Sequence, residues 1–404
     1  MIQNHFLKYL RQSNNFDSIV LFNSKLTQEL NKLKTPFYYY DLDLLNKTIL
    51  SLKESLELNY NVYYAIKANN NSHIIKSIKN HNLGIDAVSG EEINKSLNHN
   101  INPKKIVFAG VGKTKEEIIF AIKKKIYLFN CESLDEINLI NKTSKELNVI
   151  TEIAIRLNPN IDSRSHKYIK TGTFDSKFGI EIDNLNEVLE KINKLKYVDL
   201  KGYHFHLGSQ IDDLNVFRKL CQVSNEINMY LKNSKFNIRD INLGGGLGIN
   251  YKEPDLNLIP NFKSYFNLFK KNLILFDNQK IHFELGRSIV GQCGSLFSRI
   301  LYLKKSFNKY FIIIDAGMTE LIRPALYNAH HHIENISSNE KELKYDIVGP
   351  LCESSDTFVK DHFLNESKIG DLIVIRSTGA YGEVMSSNYN LRKKVKAYYS
   401  NELF

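Results

Sequence analysis

Between about residue 60 and residue 285, short runs of strand-forming residues alternate with amphipathic helical stretches, and this alternation limits the fold more than any other feature of the chain. The strand-type runs are Asn61–Lys67, Gly84–Val88, Ile106–Ala109, Ile126–Phe129, Glu152–Leu157, Gly202–His206, Ile238–Leu243 and Ile281–Leu285. Helical patterns such as Ser72–Asn80, Glu91–Asn98, Lys115–Lys123 and Ser133–Leu147 lie between them. Such a rhythm predicts parallel strands joined by helices. About eight repeats close a (β/α)8 barrel, and a segment over residues 36–285 has the usual length for one. The full 404 residues are too many for a single ordinary core. After Leu285 the rhythm changes. Val290–Leu303, Tyr310–Ile314, Tyr345–Gly349 and Asp371–Ser377 read as strands without long helices between them, so residues 286–404 are expected to form a β-rich C-terminal domain. Residues 1–35 have no place in the barrel and are expected to pack on that domain. Ile333–Lys344 reads as an exposed loop.

Several function classes drop out on composition. The net charge is +10, but the lysines are scattered, with no basic helix carrying interleaved aromatics. A lysine-rich solvated surface explains this, and no nucleic-acid partner is expected. Cys131, Cys221, Cys293 and Cys352 sit far apart, without metal-type spacing or the density of a disulfide framework. His330, His331 and His332 have no carboxylate or cysteine at ligand spacing, so no metal is expected. The first residues lack a signal peptide's apolar core, and no apolar run is long enough to span a bilayer. A cytoplasmic protein without membrane contact is expected.

In a (β/α)8 barrel the reactive groups stand at the C-terminal ends of the strands. Lys67 ends the first run, within Val62-Tyr63-Tyr64-Ala65-Ile66-Lys67-Ala68-Asn69. It is either a snorkelling surface lysine or an amine whose pKa is lowered by burial, able to form a Schiff base. Gly244, Gly245 and Gly246 follow the seventh run. Successive glycines let backbone N–H groups approach an anion, although a plain tight turn uses glycine too. Ser209 could add a hydroxyl to the same phosphate. His204 and His206 alternate on the sixth run; metal ligation, a satisfied core role and stacking of an imidazole on a flat cofactor are the three readings. Glu284 ends the eighth run and needs a partner, either Arg287 in a salt bridge or a pyridine nitrogen. Lysine, phosphate loop, flat stacker and carboxylate together point to pyridoxal 5'-phosphate.

The Tyr64-to-Asn69 run, the Gly202-to-Gln210 run with its two histidines, Gly244–Gly248, and Glu284-Leu285-Gly286-Arg287 together resemble the fold-type III pyridoxal phosphate decarboxylases, which share the alanine racemase-like fold. Within that group, Asp315–Met318, Arg323-Pro324-Ala325-Leu326-Tyr327, Gly349–Asp356 and Gly379–Asn390 are similar to the diaminopimelate decarboxylases. Ornithine decarboxylases carry aspartate where Glu353 follows Cys352 here, and Leu285 stands where the group usually has proline. The resemblance implies decarboxylation of meso-diaminopimelate to L-lysine and carbon dioxide, the step that ends lysine biosynthesis. It also implies a head-to-tail homodimer in which the Cys352–Glu353 loop completes the partner's site. Lys67 would hold the cofactor, His206 cover its ring, and Glu284 meet its nitrogen. Gly244 to Gly246, Ser209, Gly286 and Tyr381 would surround the phosphate, with Arg287 near phosphate or substrate. Arg323, Tyr327, Tyr381 and Glu353 would take the substrate's far end, and Cys352 would reprotonate the carbanion. The alternatives are a relative acting on ornithine, arginine or carboxynorspermidine, a non-catalytic cofactor-binding paralogue, and an alanine racemase relative, which the Cys352 run does not resemble.

Overall fold

In the computed structural model, residues 22, 24–161 and 177–403 are described. The first strand, β1 (Phe37–Tyr40), is buried along its whole length. The barrel then runs through β2 (Tyr60–Ala65), β3 (Gly84–Ala87), β4 (Ile106–Phe108), β5 (Leu128–Cys131) and β6 (Thr151–Asn158). A short β7 (Ile180–Glu181) pairs outside the ring with β6, and the barrel continues with β8 (Val198–His204), β9 (Asp240–Asn242) and β10 (Lys280–Leu285). All ring pairings are parallel, and closure is made by β10 against β2, with Ile281 opposite Tyr60 and Leu285 opposite Tyr64. Parallel strands covered by helices are buried on both faces, which explains the near-continuous apolar runs.

The helices start where the sequence supplies side-chain caps. Asn71, Ser89, Thr114, Ser133, Asp213 and Asn261 each accept a hydrogen bond from a first-turn N–H, and Thr114 with Glu117 forms a reciprocal capping box. Helix Leu214–Lys232 shows why these segments lie down on the barrel. Phe217, Leu220, Cys221, Ser224, Ile227 and Leu231 recur at helical spacing and form its buried stripe.

The second sheet comprises β11 (Gly294–Ser306), β12 (Lys309–Ile314), β13 (Ile333–Asn335), β14 (Glu342–Val348), β15 (Thr357–Asn365), β16 (Leu372–Ile375) and β17 (Lys396–Tyr399). Three expectations need correcting here. Residue 36 is not where barrel membership begins, because β1 pairs antiparallel with β11 and parallel with β17. Its Phe-Tyr-Tyr-Tyr sequence has no alternation because both faces are covered. Residues 333–344 are not simply a loop: Ile333 and Asn335 are buried in β13, and β14 begins at Glu342. The strand expected from Val290 starts only at Gly294, since Arg287–Val290 forms a turn of helix. Helix Ser24–Asn31 packs Leu26 and Leu30 against Phe37, Tyr39, Phe297, Leu372 and Val374 of this second sheet. Residues 1–21 and 23, which make up most of the N-terminal segment, lie outside the described residues. No described helix is long and apolar enough to cross a membrane.

Candidate active site

The C-terminal ends of the barrel strands meet in a cleft lined by Ala65, Lys67, His206, Gly208, Ser209, Gly246, Leu247, Glu284, Gly286, Arg287, Ser288 and Tyr381. Residues spread over more than three hundred positions of sequence thus share one small space. Lys67 sits one turn past β2, its side chain 32% exposed, with Nζ 3.1 Å from Oδ2 of the fully buried Asp86 on β3. Burial pushes the Lys67 pKa down, but nearby negative charge, led by Asp86 and including Glu284, outweighs it, and the net pKa is raised. This reverses the expectation of a neutral amine. The physical reason is that a carboxylate in contact repays more than desolvation removes. Asp86 itself is pushed upward, first by burial and then by Glu284.

Glu284 does not pair with Arg287. Its Oε1 accepts from Asn130 Nδ2 at 3.0 Å and Asn242 Nδ2 at 2.7 Å, and its Oε2 lies 3.1 Å from His204 Nε2. Burial pushes its pKa up, but His204 and its other neighbours prevail, and the carboxyl is held well below its usual range. It is therefore an ionised group at the bottom of the cleft, suited to a cationic ring nitrogen. His204 is the core histidine of the pair. His206 lies two residues past the end of β8 and lines the cleft. Its Nδ1 accepts from the Gly245 N–H at 3.3 Å, and burial holds it neutral, far below the usual imidazole pKa.

The triple-glycine turn has the backbone of a cradle. Gly244 and Gly246 have φ of +67° and +106°, which disfavour side chains. A β-carbon at Gly245 would lie 1.9 Å from the Glu284 carbonyl oxygen. Gly286 is also close-packed, its would-be β-carbon 2.9 Å from that of Ala68. Opposite, Arg287 donates from Nε to Ser209 Oγ at 3.0 Å, and its guanidinium lies 4.9 Å from the centre of the Tyr381 ring. Tyr381 is tied to the barrel by its N–H, which donates to the Ala68 carbonyl at 2.8 Å. An amine, an ionised carboxylate, a neutral imidazole and a side-chain-free turn beside an arginine fit pyridoxal phosphate.

Arg323 opens a short helix, Arg323–Tyr327, that also carries Tyr327. It is 5% exposed and donates to His331 Nε2 at 2.8 Å, with no carboxylate partner among the described residues. Cys352 and Glu353 are exposed and are not among the residues lining the Lys67 cleft of their own chain. Their loop is anchored by Asp356, which accepts from the Leu351 and Met318 N–H groups, and Glu353 accepts from the Tyr389 hydroxyl at 2.8 Å.

Asp86, Asn130, Asn242 and Tyr251 were not anticipated from the sequence, and His331 was expected only to have a non-metal role. Asp86 had a usable signal, a carboxylate inside the apolar run Gly84–Val88. The asparagines had none, since strand-end asparagines are common in this chain.

A (β/α)8 barrel with a β-rich partner domain and this lysine-centred cleft defines a pyridoxal-dependent enzyme of the decarboxylase class. The family described as "Pyridoxal-dependent decarboxylase, pyridoxal binding domain" matches residues 42–291. The chain is 46% identical over 373 residues to the diaminopimelate decarboxylase of Bacteroides thetaiotaomicron, covering 92% of this chain and 97% of that one. It is 38% identical to the Aquifex aeolicus diaminopimelate decarboxylase, covering 89% and 85%. The crystal structure of the Helicobacter pylori diaminopimelate decarboxylase complexed with L-lysine superposes with a TM-score of 0.87 at 38% identity, covering 92% and 94%. The chain belongs to the diaminopimelate decarboxylase family.

Proposed function

We propose that this chain decarboxylates meso-diaminopimelate to L-lysine and carbon dioxide, with pyridoxal phosphate as its cofactor. The observation that carries this reading is a pair of arginines, Arg287 and Arg323, each 5% exposed and neither meeting a carboxylate among the described residues, beside a cleft that holds Lys67. Buried guanidinium groups without anions are costly. A phosphate and a substrate carboxylate supply the missing charges, and a substrate that ends in an amine alone would leave one unpaired.

When bound, the cofactor's cationic ring accepts the electron pair released as the α-carboxylate leaves. Lys67 would anchor it, with the Asp86 carboxylate, 3.1 Å from Nζ, holding and orienting the amine. Glu284 keeps a proton at the ring nitrogen, steadied by Asn130, Asn242 and His204. His206 covers one ring face. The amides of Gly244 to Gly246, with Ser209, Gly286 and Tyr381, grip the phosphate. Arg323 takes the far carboxylate, with Tyr327 and Tyr381 as hydroxyl partners.

The working unit is a homodimer. Cys352 and Glu353 are exposed on an anchored loop outside their own chain's cleft, which supports their serving a second copy. There Cys352 would deliver a proton to the α-carbon in place of the departed carboxylate, and Glu353 would pair with the substrate's distal ammonium. The barrel thus supplies most of the cofactor pocket, with Gly286, Arg287 and Tyr381 from the segment that follows it, and the Cys352–Glu353 loop serves the partner's site. The enzyme works in the cytoplasm. Incubating the purified protein with pyridoxal phosphate and meso-diaminopimelate, and in parallel with ornithine, arginine and carboxynorspermidine, tests the reading. L-Lysine and carbon dioxide are expected; faster carbon dioxide release from ornithine or arginine would overturn it.

A further inference from the structure

Arg287 and Arg323 carry like charges and stand close to one another around a single side chain. That side chain is Tyr251, on the loop following β9 and 8% exposed. Its hydroxyl accepts from Arg287 Nη1 at 2.5 Å. The face of its ring lies 4.8 Å from the Arg323 guanidinium. His331 meets the same ring edge-on, with centroids 5.0 Å apart. His331 also accepts from Arg323 Nη1 at 2.8 Å, its other nitrogen donating to the Arg376 carbonyl at 2.9 Å. That second bond sets the tautomer and leaves Nε2 as an acceptor.

Tyr251 is therefore used twice, through its oxygen on one guanidinium and its π face on the other. A negative ring face and a phenolic oxygen both offset the repulsion between the cations. Burial pushes the phenol's pKa up, yet the two guanidiniums bring it below the ordinary tyrosine value. Arg323 is held by Tyr251 and His331, but its Nε–H is buried without a hydrogen-bond partner among the described residues. An unsatisfied buried N–H of this kind is costly unless a ligand completes it.

We propose that Tyr251 and His331 are positioning residues, which hold Arg287 and Arg323 together as a two-armed receptor and reserve Arg323 Nε for the far carboxylate of the substrate. This deepens the decarboxylase reading and rests on it. Neither residue touches the reacting carbon; each acts through the arginine it orients.

The test uses the holoenzyme and compares wild type with Tyr251→Phe, Tyr251→Leu, Arg323→Ala, the Tyr251→Leu/Arg323→Ala double variant, His331→Ala and His331→Gln. Tyr251→Phe keeps the ring and removes only the oxygen. With meso-diaminopimelate its KM should rise about tenfold, the worth of one hydrogen bond to a charged group, while kcat falls by less than about threefold. The visible absorbance of the bound cofactor should not change. Tyr251→Leu, which also removes the ring lying on Arg323, should raise KM further, and in the Arg323→Ala background that extra rise should shrink to less than about twofold, because the arm the ring positions is gone. His331→Ala should raise KM similarly, and His331→Gln, which restores an acceptor for Arg323, should recover most of the loss. An unchanged KM in Tyr251→Phe, or an undiminished effect of Tyr251→Leu in the Arg323→Ala background, would overturn the positioning role while leaving the enzyme's identity intact. A wild type that decarboxylates only amino acids without a far carboxylate would overturn both.

Discussion

Replacing Gly245 by alanine places one methyl group where the barrel has no room. The new β-carbon would stand 1.9 Å from the Glu284 carbonyl oxygen, which is main chain and cannot rotate away. The two strands are already tied there, the Glu284 N–H donating to the Gly244 carbonyl at 2.8 Å. The turn must retreat by roughly 1 Å, a displacement that in a positioned site costs about a hundredfold. The bond from the Gly245 N–H to His206 is lost with it. If one or two amide contacts to the phosphate go, at about 1.5–3 kcal/mol each for hydrogen bonds to a charged group, the cofactor should bind about 10- to 10⁴-fold more weakly. Titrating apo-protein with pyridoxal phosphate and following the visible absorbance measures this, with circular dichroism to confirm that the variant is folded. Gly248→Ala is the control: its β-carbon meets the Asp212 and Gln210 side chains, whose ends can move, instead of main chain, so the loss should be far smaller. A folded Gly245→Ala protein with a dissociation constant within threefold of wild type would refute the assignment of this turn to the phosphate.

Two further outcomes follow from the charges in the site. Lys67→Ala should abolish both turnover and the visible absorbance of lysine-bound cofactor, and turnover that survives would remove Lys67 from the chemistry. Burial and Arg323 hold the His331 pKa well below 6.5, so the unfolded state takes up protons that the folded state refuses. The stability this contributes is fully present above the unfolded pKa and is lost as pH falls from about 6.5 toward the depressed folded value. The melting temperature should therefore drop on acidification from pH 7 to pH 5, and less steeply in His331→Gln; identical slopes would show that His331 is not the group responsible.

The parts of the site legible in the sequence share one property: each is a distinctive residue at the C-terminal end of a recognisable strand. Lys67, His206, the glycines after β9 and Glu284 lie in one cleft or on its rim because barrel closure brings all such ends together. The β-rich sheet was less legible. β1 and β17 are short, and their partners are remote: Phe37 pairs with Phe297 and Lys396. Pairing of that range leaves no local period to read, and the Phe37–Tyr40 run is buried on both faces.

Periodicity and residue type, which are local, were enough to indicate the barrel and the family, and to single out Lys67 and the glycine turn as candidates for the site. The charge states and the choice of partners were settled only in three dimensions. Lys67 is an ammonium because Asp86, from the next strand, stands 3.1 Å away, and Arg323 binds a histidine instead of a carboxylate because His331 folds back onto it. Coulomb energies and hydrogen bonds depend on separations of a few ångströms, and those distances come into being only when the chain closes on itself.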